Sequence, residues 1–124
     1  MQIAALLGAS GVTIGAFGAH ALKATLEKNN TLSSWKTAVE YQLIHSVALL
    51  SLSLLSSRNH QQQQQATDYS LTRNLWVVGI CLFSGSIYGL CLGGPRLLGP
   101  VTPLGGLCLI GGWLALLRTG SKID

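Results

Sequence analysis

The 124-residue chain is 48% hydrophobic and only 10% charged, with a mean hydropathy of +0.44, a balance too apolar for a soluble domain of this size and one that points to a membrane protein. Its formal net charge of +4 is spread among the connecting segments and forms no basic stripe with interleaved aromatics, so nucleic acid is not an expected partner. Three cysteines, Cys81, Cys91 and Cys108, make no CxxC pair and fall inside apolar runs, where a thiol acts as a small hydrophobe; neither a disulfide nor a metal site is expected.

Crossing about 30 Å of hydrocarbon takes about 20 residues of helix, and four apolar stretches meet that length. The spacing predicts an all-α, four-helix transmembrane bundle with helices over about 2–22, 33–57, 74–93 and 101–118, forming one domain over residues 1–124. An even number of spans places both termini on the same face.

The first helix contains GASGVTIGAFGAH, residues 8–20. A cleavable signal would carry a basic segment ahead of its apolar core; none is present, so the segment is expected to be retained even though Ala19-His20-Ala21 imitates a cleavage site. Neither G-x-G-x-x-G nor G-x-x-x-x-G-K-[ST] occurs, which removes a nucleotide loop. At about 100° per residue, Gly8, Gly11, Gly15 and Gly18 fall within an arc of roughly 80°. In lipid, helices associate by close packing, and small residues let backbones approach. The four glycines are therefore expected to form a helix-packing face.

The link KATLEKNNTLSSWKTAVE breaks at Asn29-Asn30, and Ser33 or Ser34 is placed to cap the second helix. That helix begins with Glu40, Tyr41, Gln42 and His45, on the same side of the membrane as His20 at the end of the first. Ionisable groups at membrane depth default to functional hypotheses. Three roles are open for this set: proton or ion handling, axial ligation of haem or chlorophyll by His20 or His45, and an interhelical hydrogen-bond clamp. The clamp is the favoured reading, with both histidines shallow near the headgroups, and no cofactor is predicted.

The second connection, an exposed loop at about 58–73, holds five consecutive glutamines, Gln61 to Gln65, which bury no apolar area. His60 beside them is expected to be solvated. The third helix repeats the glycine device with Gly85, Gly89 and Gly93, and ends at Gly93-Gly94-Pro95. Thr102 and Pro103 open the fourth, which carries Gly105 and Gly112, so the last two helices are expected to form an antiparallel hairpin. Trp35, Tyr41 and Tyr88 fall toward one membrane interface and Tyr69, Trp76 and Trp113 toward the other. Lys23, Lys28, Lys36 and Arg96 oppose Arg58, Arg73, Arg118 and Lys122, so the positive-inside rule assigns no orientation. Serines scattered through the helices, with no base and acid partner, give no catalytic constellation, and a non-enzyme is expected.

GAFGAHALK (15–23), WKTAVEYQLIHSVALL (35–50), GICLFSGSIYGL (79–90) and GPVTPLGGLCLIGGW (99–113) together resemble the YgdD-like small integral membrane proteins, the domain of unknown function 423, with the transmembrane protein 256 relatives. The resemblance covers nearly the whole chain. It implies four spans in a bacterial inner, thylakoid or organelle membrane, and supplies no catalytic residues. Two functional expectations follow from the residues. The first is a structural or accessory subunit packed against a larger respiratory or photosynthetic membrane complex. The second is a small oligomeric transporter or ion-handling protein using His20, Glu40 and His45. Besides lipid, the expected partners are other membrane subunits or further copies of the chain.

Overall fold

The structure, a computed structural model, describes residues 1–61 and 68–120, with the side chains of 59–61 excepted. It contains five α-helices among the described residues: α1 (Gln2–Ala19), α2 (Lys23–Lys28), α3 (Leu32–Gln61), α4 (Ser70–Cys91) and α5 (Val101–Gly120), with a 3₁₀ turn at Arg96–Leu98. Four helices are long and apolar enough to cross a membrane: Gln2–Ala19, Leu32–Arg58, Ser70–Cys91 and, counting the 3₁₀ turn, Arg96–Gly120. The four expected spans are thus α1, α3, α4 and α5.

Several boundaries differ from the sequence expectation. α1 stops at Ala19, and the chain turns at His20 before the short helix α2, which apolar periodicity does not reveal. Leu26 of α2 is fully buried and packs with Trp35 and Cys91, so this segment is fastened to the ends of α3 and α4. α2 closes with Asn30 in the left-handed region at φ 55°, with Thr31 N–H bonded to the Leu26 carbonyl and Asn30 N–H to that of Glu27. The same closure ends α4: Gly93 takes φ +85°, and Gly94 N–H reaches the Gly89 carbonyl at 2.7 Å. Pro95 then leads out of the helix.

The expected loop at about 58–73 is helical at both ends, since α3 continues to Gln61 and α4 starts at Ser70. The rest of the glutamine run and the His60 side chain lie outside the described residues. At its far end Asp68 accepts a hydrogen bond from Ser70 N–H at 2.9 Å. Bonds from the Ser70 side chain and then its backbone hold the exposed Asp68 carboxyl below the ordinary carboxylate range.

Helix packing runs in chain order, α1 on α3, α3 on α4 and α4 on α5. Each pair is antiparallel. A core of Ala4, Leu49, Leu52, Tyr69, Trp76, Ile80 and Leu109, with Leu116 against it, gathers the start of α1, the later part of α3, the start of α4 and the end of α5. Both described ends of the chain therefore lie on one face. The remaining large apolar side chains, such as Leu6, Val47, Leu107 and Leu117, point outward, as they should in a protein whose solvent is lipid.

Candidate functional site

Polar side chains link these helices in a connected network, and glycine determines where it forms. In α1 a missing side chain at position i exposes the carbonyl at i−4 to a donor from α3. Trp35 Nε1–H donates to the Ile14 carbonyl at 3.1 Å, and a Cβ on Gly18 would overlap its indole ring. Seven residues away on each helix the arrangement recurs. Gln42 Nε2 donates to the Leu7 carbonyl at 2.9 Å and to Ser10 Oγ at 2.8 Å, while a Cβ on Gly11 would stand 2.8 Å from Leu43 Cδ2. Gly15 is tight against Val39, and Gly8 makes ordinary contact with Ser46.

Gln42 is the hub of the network. Its Oε1 accepts from the Tyr88 hydroxyl at 2.8 Å, so one amide joins α1, α3 and α4. The opposite amide orientation would face its oxygen toward the Leu7 carbonyl, so the network fixes the assignment. Ser84, Tyr88 and Cys91, spaced four and three apart, form a polar stripe on α4 aimed at α3. Ser84 Oγ donates to the Ala38 carbonyl at 2.7 Å and Cys91 Sγ to that of Thr31 at 3.6 Å. Tyr88 also packs on Trp35, ring centroids 4.9 Å apart. The spacing of that stripe is the signal in the sequence for Ser84 and Tyr88, which taken singly are a scattered serine and an interfacial aromatic.

His45 lies buried near the middle of α3, 13 residues or about 20 Å from the helix start at Leu32. This corrects the expectation of a shallow histidine near the headgroups: His45 sits at the middle of the 27-residue span Leu32–Arg58, although the expected helix start at residue 33 is within one residue of the observed one. Trp113 Nε1–H donates to His45 Nε2 at 3.1 Å, and Nδ1 lies 2.7 Å from the Tyr41 carbonyl. Only the Nδ1–H tautomer satisfies both contacts. Trp76 and Trp113 stand edge-on to the imidazole with centroids 6.0 and 5.9 Å away; Trp76 is buried in the core, whereas Trp113 is exposed on its outer side and turns its ring N–H inward to the histidine. Trp76 Nε1 is the one buried side-chain nitrogen or oxygen without a hydrogen-bond partner among the described residues.

The expected polar set is therefore divided. Gln42 and His45 are clamps; Tyr41 is partly exposed and stacks on Phe83 at 4.8 Å. Glu40 and His20 are exposed and share no hydrogen bond with His45 or each other among the described residues. No group of three or more His, Cys, Asp or Glu suited to a metal occurs among the described residues. Pigment or haem ligation through His45 would require displacing the Trp113 N–H from the Nε2 lone pair. Purified protein mixed with haem is accordingly expected to show no Soret band that depends on His45; a band lost in His45→Gln would contradict this assignment.

The other glycines separate into two groups. Gly105 sits against the Phe83 backbone, Gly112 against the Trp76 indole, and Gly89 against Leu98 of the 3₁₀ turn. Gly79, outside the expected packing faces, lies opposite Leu109, whose Cδ2 would be 2.7 Å from an added Cβ. By contrast, Gly85 is exposed, and nothing among the described residues comes within 4 Å of a Cβ placed there. Gly93 likewise meets nothing and serves the helix end, so among the described residues only Gly89 of the expected Gly85, Gly89 and Gly93 face packs within this chain.

Residues 14–106 match the family described as Protein of unknown function (DUF423). The chain is 39% identical to a UPF0382 membrane protein of Schizosaccharomyces pombe over 94% of its own length and 96% of the relative's. It is 37% identical to a UPF0382 membrane protein of Staphylococcus haemolyticus, and 33% identical to the UPF0382 membrane protein YwdK of Bacillus subtilis, each covering 98% of both chains. No solved structure matches.

Proposed function

The chain belongs to the DUF423 family of membrane proteins, and from that premise we propose that it acts without catalysis, as a small structural or accessory subunit packed against a larger membrane complex. The observation that carries this reading is the division of its polar groups and glycines. Gln42, His45, Ser84 and Tyr88 are committed to neighbouring helices, and among the described residues no nucleophile is paired with a base in the interior. Gly85, beside exposed Val78 and Cys81 on α4, is a flat open notch in an otherwise tightly packed helix. Such notches allow close helix approach in lipid. The separation of His20 and Glu40 from His45 gives no support to the alternative of ion handling by these three residues.

Native membranes solubilised in mild detergent are expected to yield the chain co-migrating with a larger complex, and Gly85→Leu should release it while leaving the isolated protein folded. A chain that runs no larger than its own oligomer, even after crosslinking in the membrane, would end this reading.

A further inference from the structure

A groove of about 420 Å³ runs along the outer seam of α1 and α3, floored by Gly15, Gly18 and Ala19 and bordered by Lys36 and Glu40. Both charged residues are exposed, and neither has an ion-pair partner among the described residues. They do not pair with each other, and lysine preceding glutamate by four is the weaker of the two helical orders.

Their depth makes this costly. The 27-residue span Leu32–Arg58 is about 40 Å long against a hydrocarbon layer of about 30 Å, so a centred helix places Lys36 at the boundary and Glu40 within the apolar layer. Lysine can extend its ammonium outward to the headgroups. The shorter glutamate reaches less far, and an unpaired carboxylate facing lipid is unfavourable. The surface therefore needs a cation at the depth of Glu40 and an anion near Lys36, one helical turn apart.

We infer that a second copy of this chain covers the groove, related by a two-fold axis parallel to the helices. Two α3 helices then run side by side in the same direction, and each Lys36 extends one turn along its neighbour to the partner copy's equivalent of Glu40. The contact is isologous: the same two residues, used reciprocally, satisfy both charges on both copies. Below them, Ile44 and Val47, each at least half exposed, continue the same outer face of α3 into the apolar layer. This inference rests on the α1–α3 groove and is independent of the α4 notch, so either surface can fail without the other.

The test uses full-length chains fused to donor or acceptor fluorophores, reconstituted together in phosphatidylcholine vesicles, with energy transfer followed as protein is diluted into lipid. Wild type is expected to associate above the level of random proximity. Lys36→Glu alone and Glu40→Lys alone should each weaken association by about tenfold or more. Lys36→Glu donors mixed with Glu40→Lys acceptors should recover it, because one copy then carries two anions and the other two cations. The double variant K36E/E40K should self-associate, which also shows that the reversed charges are compatible with folding. Wild type at the random level overturns the inference, whether native mass spectrometry then finds a bound phospholipid or a bare monomer. Unchanged association in both single variants, or no recovery on mixing them, overturns it equally.

Discussion

Gly105→Ala is expected to destabilise the protein by about 1–3 kcal/mol, enough to lower its unfolding midpoint in a mixed-micelle titration and its recovery from the membrane. The added methyl would overlap the backbone nitrogen of Phe83 and come within 2.7 Å of its Cα. A flexible side chain could turn aside, but a helix backbone cannot, so the α4–α5 pair has to separate along its length. Separation also pulls Leu109 from Gly79 and Gly112 from Trp76, the next two contacts along this interface. The matched control is Gly85→Ala, where the new methyl meets open space. That variant should stay within about 0.5 kcal/mol of wild type. Equal losses in the two variants would show that proximity to the Phe83 backbone does not set the cost, since helix propensity favours alanine over glycine at both positions.

Gln42→Leu should cost about 1–3 kcal/mol, because it removes both amide donors and leaves the Tyr88 hydroxyl without its acceptor inside the bundle. Hydrogen bonds between membrane helices often contribute less, about 0.6 kcal/mol each, so the informative quantity is a difference. Tyr88→Phe removes one partner together with one bond and leaves Gln42 anchored to α1, so it should cost less than half as much as Gln42→Leu. In the double variant the two losses should add to less than their sum, because the orphaned hydroxyl is gone. Strict additivity, read from the same unfolding titration, would show that Gln42 and Tyr88 are not coupled.

Much of this architecture can be read from residue order because lipid imposes a simple rule. Every span must be a helix of a set length, so four apolar runs give four helices, and their short connections set antiparallel order. The glycines of α1 are legible as a face because four of them share one period. Gly79 falls outside the four-residue period of Gly85 and Gly89 in the same helix, so no period marks it. Gly85 and Gly93 do share a period with Gly89, yet the period says only that they lie on one side, not whether another helix lies there. The α2 segment was hidden because six residues are too few for an amphipathic signal, and its one anchor, Leu26, is buried by distant residues.

The candidate site was half visible. Gln42 and His45 stand out as polar residues in an apolar run, and a clamp is the role the helices give them. Their partners do not stand out, because Tyr88 and Trp113 are amphipathic side chains that suit an interface as well as an interior. The sequence by itself determined the number of spans, their length and the glycine stripe of α1, since these follow from local composition and helical period. Only the tertiary structure decided which carbonyl each glycine exposes, which nitrogen of His45 carries the proton, and which charges face outward without a partner. Those depend on the rotation of each helix about its axis, which is set by close packing between residues far apart in the chain.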